Sequence, residues 1–341
     1  MAIVSSLTSF VTWSLPEYYR DLIRYRLDVS YMWSIYPEQG KCPFAGGDLQ
    51  RSHGGICRQL DALSTQLPLG TAVRGNVLGA QVLASHLHES ALGLPERERA
   101  LGREVVEEAV QVALRRIDDP EVWQEIEAGF LETTPENLRT WWNSVLWNLL
   151  GMGTLNTTDS KWLINLRTRI LMFGSFLPNW RVCGYLVADK PYWLDRIRAY
   201  YPDHTAHILD TVLLAGGLSI PMALTAGLKE LPRFVLTAET VEAFVYETLR
   251  VHAPVGTVAY SIDGTTRRQM LGLRAGLRDT TVWGEPAHVF DPKPLDVYHR
   301  NFIGFADTNE AMMCPGKLLA MQVLQRLFLA KSRQLHGPHS Y

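Results

Sequence analysis

The chain has 341 residues, of which 47% are hydrophobic and 20% charged, and its formal net charge at pH 7 is -2. This composition is typical of a globular protein with a large core. A nearly neutral charge excludes the basic footprint of a nucleic-acid-binding protein, so we expect no nucleic-acid partner.

The four cysteines are Cys42, Cys57, Cys183 and Cys314, and none of them forms a C-x-x-C pair. A zinc site or a thioredoxin-type redox motif is therefore not expected. A disulfide between Cys42 and Cys57 stays open as an alternative, although nothing else in the chain indicates secretion.

The first twenty residues, MAIVSSLTSFVTWSLPEYYR, are only mildly apolar and contain no basic region before an apolar one. This pattern predicts neither a signal peptide nor a transmembrane anchor. We therefore expect a soluble, cytoplasmic protein.

Helical patterns dominate after residue 90. The segment 133–151 begins with a candidate cap at Thr134, has Pro135 in its first turn and ends at Gly151, as helices commonly do. Thr237 is the candidate cap of a later helix. Further helices are predicted over 95–117, 160–173, 189–201 and 237–252.

The segment 203–231 is long and apolar, and it contains Gly216, Gly217 and Pro221 near its middle. We expect a central helix that these residues kink or loosen. Strand-like sequence is scarce, and 256–262 is its best example. The chain is therefore predicted to be mainly α with a small β component.

Glu247 and Arg250 lie three residues apart, so in a helix they share one face and can form an ion pair. Alone, this spacing is common on protein surfaces and contributes little. Three further motifs follow in order: HAPV at 252–255, RDTTVWGEPAHVFDP at 278–292 and CPGKLLA at 314–320.

Together, the four motifs resemble the cytochrome P450 family, in which an E-x-x-R helix precedes H-P-P-V-like residues, an R-D-x-x-x-W-x-x-P-x-x-F-x-P meander and C-x-G-x-x-L-A. The resemblance covers residues 237–333. It implies a shortened cytochrome P450-like fold, with one heme-thiolate domain over residues 1–341.

The resemblance also implies a heme b cofactor with Cys314 as the axial ligand of the iron. A helix that begins after the cysteine stabilises the thiolate, and Gly316 leaves room for the porphyrin. Glu247 and Arg250 are implied to be structural, tying their helix to the meander.

An upstream segment, GGDLQRSHGGICRQLDALS at 46–64, resembles the C-helix of the family, whose His and Arg contact the heme propionates. His53 and Arg58 match that spacing. The alternative is that both are surface residues at the start of a helix.

Two departures from the family pattern precede the cysteine. The segment FADTNEAM at 305–312 resembles an insertion in the cysteine loop, and Pro294 stands where a meander arginine normally completes the Glu-Arg contact.

The largest departure is chemical. AGGLSI at 215–220 stands where the family has A-G-x-(Asp/Glu)-Thr-Thr, whose acid and alcohol deliver protons during dioxygen activation. Leu218 replaces the acid and cannot carry a proton, while Ser219 can still donate a hydrogen bond. The candidate catalytic residues are Gly216, Gly217, Leu218 and Ser219.

Family branches that isomerise or dehydrate fatty-acid hydroperoxides also lack this pair, and they carry a Gly-Gly and an enlarged cysteine loop. Gly216-Gly217 and the segment before Cys314 are similar to them. The match is incomplete, because the helix asparagine of those enzymes would fall near Leu213.

The resemblance implies a heme-thiolate enzyme that acts on a hydrophobic small molecule of specialised metabolism, by an unusual oxidation or a redox-neutral rearrangement. One alternative is a peroxygenase or isomerase that uses a peroxide. Another is a dioxygen-dependent monooxygenase with a redox partner, in which water replaces the acid. A third is a heme-binding sensor or carrier without catalysis. The last alternative places the heme on Cys42 in KCPFAGG, a segment similar to fungal peroxygenases.

Overall fold

The computed structural model describes residues 49–65, 73–74, 96–161, 163–164, 192–202, 208–256, 258–262, 268–305 and 313–337. The predictions for Cys42, Cys183 and residues 306–312 lie outside these ranges, as does most of the helix predicted over 160–173. Among the described helices, none is both long and apolar enough to cross a membrane.

Helices make up most of the described chain, which confirms the mainly helical prediction. The predicted helices over 95–117 and 189–201 are confirmed as α2 and α5. In chain order the α-helices are α1 (His53–Thr65), α2 (Glu96–Ile117), α3 (Pro120–Glu132), α4 (Leu138–Leu149), α5 (Tyr192–Tyr200), α6 (Gly217–Glu230), α7 (Val241–His252), α8 (Leu273–Gly276), α9 (Thr280–Trp283), α10 (Leu295–Asn301) and α11 (Lys317–His336).

Two helices begin later than their predicted caps. The structure starts α4 at Leu138 and α7 at Val241, because a turn precedes each helix. The Asn137 N–H donates to the Thr134 carbonyl at 3.0 Å, and the Thr240 N–H donates to the Thr237 carbonyl at 3.2 Å. Thr134 therefore opens a turn. Thr237 opens a turn that continues into α7, since its hydroxyl accepts from the Glu239 N–H at 3.3 Å and its carbonyl also accepts from the Val241 N–H at 3.0 Å, as a capping residue does.

Four short strands form one small sheet in the order β1-β4-β3-β2. The predicted strand at 256–262 is β3. β1 pairs in parallel with β4, and β3 runs antiparallel to both of its neighbours. The strands are β1 (Leu49–Gln50), β2 (Val73–Arg74), β3 (Val258–Ile262) and β4 (Arg268–Leu271).

The segment Ile208–Gly216 is a π-helix that continues directly into α6, and we call the two together the central helix. The prediction of a helix here is confirmed from Ile208 to Glu230, with Pro221 inside it; residues 203–207 are outside the described ranges. The expected loosening takes the form of the wider π-helical turn.

The central helix lies in the middle of the helical core. α4 packs along one side of it, and α7 and α11 pack against α6 and against each other. Large side chains fill these contacts, since Trp142, Trp147, Phe244 and Phe328 are fully buried. The core therefore joins the central helix to the helix that follows Cys314.

Candidate functional site

The backbone of Cys314 is fixed on both sides, while its side chain is exposed. Its N–H donates to the Phe305 carbonyl at 2.8 Å, and its carbonyl accepts from the Lys317 N–H at 3.1 Å. A Cβ at Gly316 would lie 3.8 Å from the Cys314 sulfur. The glycine therefore leaves space open beside the sulfur.

Cys314 lies three residues before Lys317, where α11 begins. The first N–H groups of a helix have no acceptor within it, so its N-terminal end carries a partial positive charge. Gly316 occupies the cap position and has no side chain to satisfy these groups. This end of α11 therefore favours the anionic form of a nearby thiol.

A cavity of about 620 Å³ opens beside Cys314. Three carboxylates and one ammonium line it together with apolar side chains. It is lined by Glu107, Glu108, Gln111, Glu242, Tyr246, Met313, Cys314, Pro315, Lys317, Leu318, Met321, Gln322 and Gln325.

Glu247 and Arg250 form a bidentate ion pair inside the protein. The guanidinium Nε and NH2 donate to the two carboxylate oxygens at 2.7 Å each. The side chains are 0% and 2% exposed, respectively. Arg250 also donates to the carbonyls of Leu277, Ala287 and Val289. A buried charge needs such saturation to be tolerated.

Tyr298 completes the carboxylate side of this network. Its hydroxyl donates to Glu247 at 2.8 Å, and the Asp291 N–H donates to the same carboxylate at 2.8 Å. Burial, followed by the charge of Glu247, raises the pKa of Tyr298 far above its ordinary value. Tyr298 is therefore a permanent donor, four residues after the Pro294 that replaces the expected arginine.

Trp283 covers the guanidinium, with its ring centroid 5.1 Å from Cζ of Arg250. This position permits a cation–π contact in a desolvated setting. The cysteine-side network, as we call it, consists of Glu247, Arg250, Trp283, Asp291 and Tyr298.

A chain of aromatic rings leads from this network towards the cysteine. Tyr246 stacks on Tyr298 at 5.4 Å between centroids, and it lies edge-on to Phe302 at 5.1 Å. Phe302 lies 5.8 Å from Phe305. Since the Phe305 carbonyl accepts from Cys314, the network supports the loop that presents the thiol. This geometry supports the structural role predicted for Glu247 and Arg250.

His53 and Arg58 do not line the cavity beside Cys314. The His53 Nε2 donates to the Asn301 carbonyl at 2.7 Å, and its backbone N–H donates to Asp279 at 2.9 Å. Arg58 is exposed. These contacts join α1 to the meander, and the assignment of both residues to heme propionates stays a prediction.

Helix α2 borders the cavity beside Cys314 and contributes Glu107, Glu108 and Gln111 to its lining. Sequence reasoning identified this helix but assigned it no function. Its periodicity revealed a buried face, and no motif in it pointed to Cys314.

The central helix presents one uncharged, incompletely buried face. Residues one turn apart share it, whereas Gly217, Ile220 and Leu224 on the opposite side are buried. The side chains of the uncharged face are partly exposed although the helix lies in the core. The face consists of Ala215, Leu218, Ser219, Met222 and Ala226.

The structure divides the four candidate catalytic residues between two faces. Leu218 and Ser219 lie on the uncharged face, and the Ser219 hydroxyl donates to the Ala215 carbonyl at 3.1 Å. Gly217 is buried, and a Cβ at Gly216 would lie 3.5 Å from a methyl group of Leu146 in α4. The catalytic assignment of the two glycines stays a prediction.

These features define a class: a helical protein with a central helix in its core and a buried E-x-x-R pair that supports a cysteine loop. The chain has the cytochrome P450 fold. It resembles a 6-coordinated cytochrome P450 from Thermus thermophilus, with a TM-score of 0.64 and 14% identity, covering 89% of this chain and 90% of that chain.

Two further solved structures are similar. Mycobacterium smegmatis CYP164A2 with econazole bound has a TM-score of 0.60 and 16% identity, covering 91% of this chain and 90% of that chain. P450BioI in complex with a hexadec-9Z-enoic acid-ligated acyl carrier protein has a TM-score of 0.57 and 14% identity, covering 93% and 92%. Comparisons with protein-family models and with curated proteins found no match.

Proposed function

We propose that this protein is a heme-thiolate enzyme in which Cys314 ligates the iron of heme b. The observation that carries the proposal is an exposed thiol, held by its backbone at the start of a long helix, within the cytochrome P450 fold. When bound, a thiolate-ligated heme supplies oxidative or rearrangement chemistry, because the sulfur pushes electron density towards the iron.

The residues present fit this cofactor. Gly316 leaves the space beside the sulfur open, and the first turn of α11 stabilises the thiolate. The uncharged face of the central helix offers a surface suited to a porphyrin and an apolar ligand. His53 and Arg58 are retained as proposed propionate contacts.

The proposed substrate is a hydrophobic small molecule of specialised metabolism. The support is the lining of the uncharged face by Ala215, Leu218, Met222 and Ala226, which offer no charged or hydrogen-bonding side chain. Such surfaces select ligands by apolar burial and shape.

The proposed reaction is an unusual oxidation or a redox-neutral rearrangement that needs no acid-alcohol relay. Leu218 has no proton to give, and the Ser219 hydroxyl is bonded to its own helix. General acid-base catalysis contributes roughly 100- to 10,000-fold where it operates. A dioxygen-dependent route without a relay is therefore expected to be slow.

A peroxide-using enzyme is the second candidate, and the same serine geometry favours it. A peroxide or a substrate hydroperoxide brings oxygen that is already reduced, so neither a relay nor a redox partner is required. A conventional monooxygenase would require both, with water in place of the acid.

The test compares two ways of driving the heme-loaded full-length protein: hydrogen peroxide alone, and a reductase with dioxygen. Ser219→Ala removes the hydroxyl, and Thr225→Val is its matched control, because Thr225 makes the same bond to the Pro221 carbonyl one turn away. We expect peroxide to drive faster turnover and Ser219→Ala to change either rate less than about twofold.

The opposite result would be fast, well-coupled turnover with reductase and dioxygen that Ser219→Ala abolishes and Thr225→Val leaves intact. It would establish a monooxygenase in which water replaces the acid.

A further inference from the structure

Three consecutive carbonyls of the central helix accept hydrogen bonds from side chains. The Ala215 carbonyl accepts from Ser219 at 3.1 Å. The Gly216 carbonyl accepts from the indole N–H of Trp142 at 3.1 Å, and the Gly217 carbonyl accepts from the Asn143 amide at 3.4 Å. These carbonyls lie where the π-helix changes into α6.

The change of helix type explains why these carbonyls need extra donors. A π-helix bonds residues five apart and an α-helix residues four apart, so neighbouring carbonyls compete for one N–H at the switch. Pro221 adds a second deficit, because it has no N–H for the carbonyl of Gly217, four residues earlier. Buried carbonyls left in this state would be costly.

Asn143 supplies the hydrogen-bond donor that the Gly217 carbonyl lacks because Pro221 has no N–H. Its side chain is 1% exposed, and its amide donates both to Gly217 and to the Arg139 carbonyl at 2.7 Å. Its Oδ1 atom is buried and has no hydrogen-bond partner among the residues that the structure describes. The side chain thus satisfies two carbonyls at the expense of its own acceptor.

Trp142, which precedes Asn143 in α4, donates a hydrogen bond to the Gly216 carbonyl. Its indole is 0% exposed, and its N–H points at the Gly216 carbonyl. Leu146, four residues after Trp142 in α4, lies beside Gly216, where a Cβ would be 3.5 Å from a Leu146 methyl group. Both carbonyls are therefore engaged by α4.

We infer that Trp142 and Asn143 are positioning residues that lock the π-to-α junction of the central helix with the Gly216 and Gly217 carbonyls bound to α4. Both carbonyls then face α4 and are not available to water or to a polar ligand. This consequence rests on the proposed function, and it leaves the junction of the central helix poor at carrying protons.

The experiment measures amide hydrogen exchange of residues 208–224 in the full-length, heme-loaded protein. Trp142→Phe and Asn143→Leu each remove one donor. The matched control is Trp147→Phe, because Trp147 is equally buried on α4 but donates to the Met152 carbonyl at 3.0 Å. We expect exchange in this segment about fivefold faster in both variants than in the control, as loss of one hydrogen bond predicts.

A second measurement compares the rates of reductase-driven and peroxide-driven turnover. If the freed carbonyls admit water, the ratio of reductase-driven to peroxide-driven turnover should rise in Trp142→Phe and Asn143→Leu and stay constant in Trp147→Phe. Exchange no faster than in the control would overturn the inference, and so would an unchanged turnover ratio. A wild-type protein that prefers dioxygen would instead contradict the proposed function, without altering the exchange result.

Pro221→Ala keeps the inference testable if the tryptophan variant does not fold. Alanine restores the N–H that the Gly217 carbonyl lacks, so Asn143→Leu should accelerate exchange less in this background than in the wild type. Equal acceleration in both backgrounds would show that Asn143 does not compensate for the proline.

Discussion

The cysteine-side network and the central helix differ in how their buried polar groups find hydrogen-bond partners. In the network, a bidentate ion pair, a tyrosine hydroxyl and backbone groups satisfy the charged groups of Glu247 and Arg250, while the buried indole N–H of Trp283 has no hydrogen-bond partner among the described residues. On the central helix, the face formed by Ala215, Leu218, Ser219, Met222 and Ala226 is uncharged, and the Gly216 and Gly217 carbonyls are bonded to α4.

The difference shows where this sequence departs from the family pattern that it resembles. The ion pair that supports the loop of Cys314 is saturated with hydrogen bonds, whereas the uncharged face has no titratable group at Leu218. The four predictions below break or sharpen this contrast, from the largest expected effect to the smallest.

Arg250→Ala should give the largest loss of stability. It leaves the Glu247 carboxylate buried without its cation, which costs about 3–5 kcal/mol. The control is Arg233→Ala, which removes an ion pair of the same spacing to Glu230 from an arginine that is 59% exposed, and should cost about 0–1 kcal/mol. Denaturant unfolding and heme content measure both, and equal losses would contradict the account.

Tyr298→Phe should weaken the same network more mildly. It keeps the ring and removes the hydroxyl that donates to Glu247, so we expect a loss of about 1.5–3 kcal/mol in the free energy of unfolding. Because burial raises the pKa of Tyr298 above its ordinary 10.0, the folded state retains this proton more tightly than the unfolded state.

The wild-type protein should therefore lose stability as the pH rises above about 10, where the unfolded tyrosine ionises. Tyr298→Phe should reduce this alkaline loss. Unfolding midpoints across this range provide the measurement, and identical pH profiles would show that the hydroxyl does not act as the permanent donor.

Much of the fold was predictable from the sequence. Helical periodicity located α2, α5 and the central helix, because burial of one face imposes a 3.6-residue repeat. α4 and α7 begin later than predicted, since a turn follows each of Thr134 and Thr237 before the regular helix starts. The type of irregularity, a π-helix, was not predictable, because glycine and proline indicate that a helix is disturbed without specifying its geometry.

The site was predictable where one motif contains both partners of an interaction. Glu247 and Arg250 share a helix, so their spacing predicted the ion pair. Tyr298 was missed, because it reaches Glu247 across 51 residues of chain and no local pattern marks it. Trp142 and Asn143 were missed for the same reason, since their partners are backbone carbonyls, which leave no signal in the sequence.

Substitutions at two glycines test how closely neighbouring side chains approach the central helix. A Cβ at Gly227 would lie 2.3 Å from Phe328, whereas at Gly216 it would lie 3.5 Å from Leu146, an ordinary contact. Gly227→Ala should therefore destabilise by about 1–3 kcal/mol, and Gly216→Ala should stabilise by about 0.5–1 kcal/mol through helix propensity. Thermal unfolding distinguishes them, and a stable Gly227→Ala protein would contradict this packing.

His252 gives the smallest expected effect. Burial lowers its pKa from the ordinary 6.5, while Glu230, 3.3 Å away, opposes the shift. Because the unfolded histidine binds a proton more readily, stability should fall as the pH decreases through about 6.5 and towards the lower folded value. His252→Gln should flatten this part of the stability profile, and an unchanged profile would exclude His252 as its source.

The central claim is that Cys314, supported by the cysteine-side network, ligates the heme iron. The most direct test is the absorption spectrum of the heme-loaded protein after reduction and addition of carbon monoxide. The account predicts the band of a thiolate-ligated heme in the wild type and in the Cys57→Ala control, and its loss in Cys314→Ala. A thiolate band that persists in Cys314→Ala but disappears in Cys42→Ala would contradict the claim.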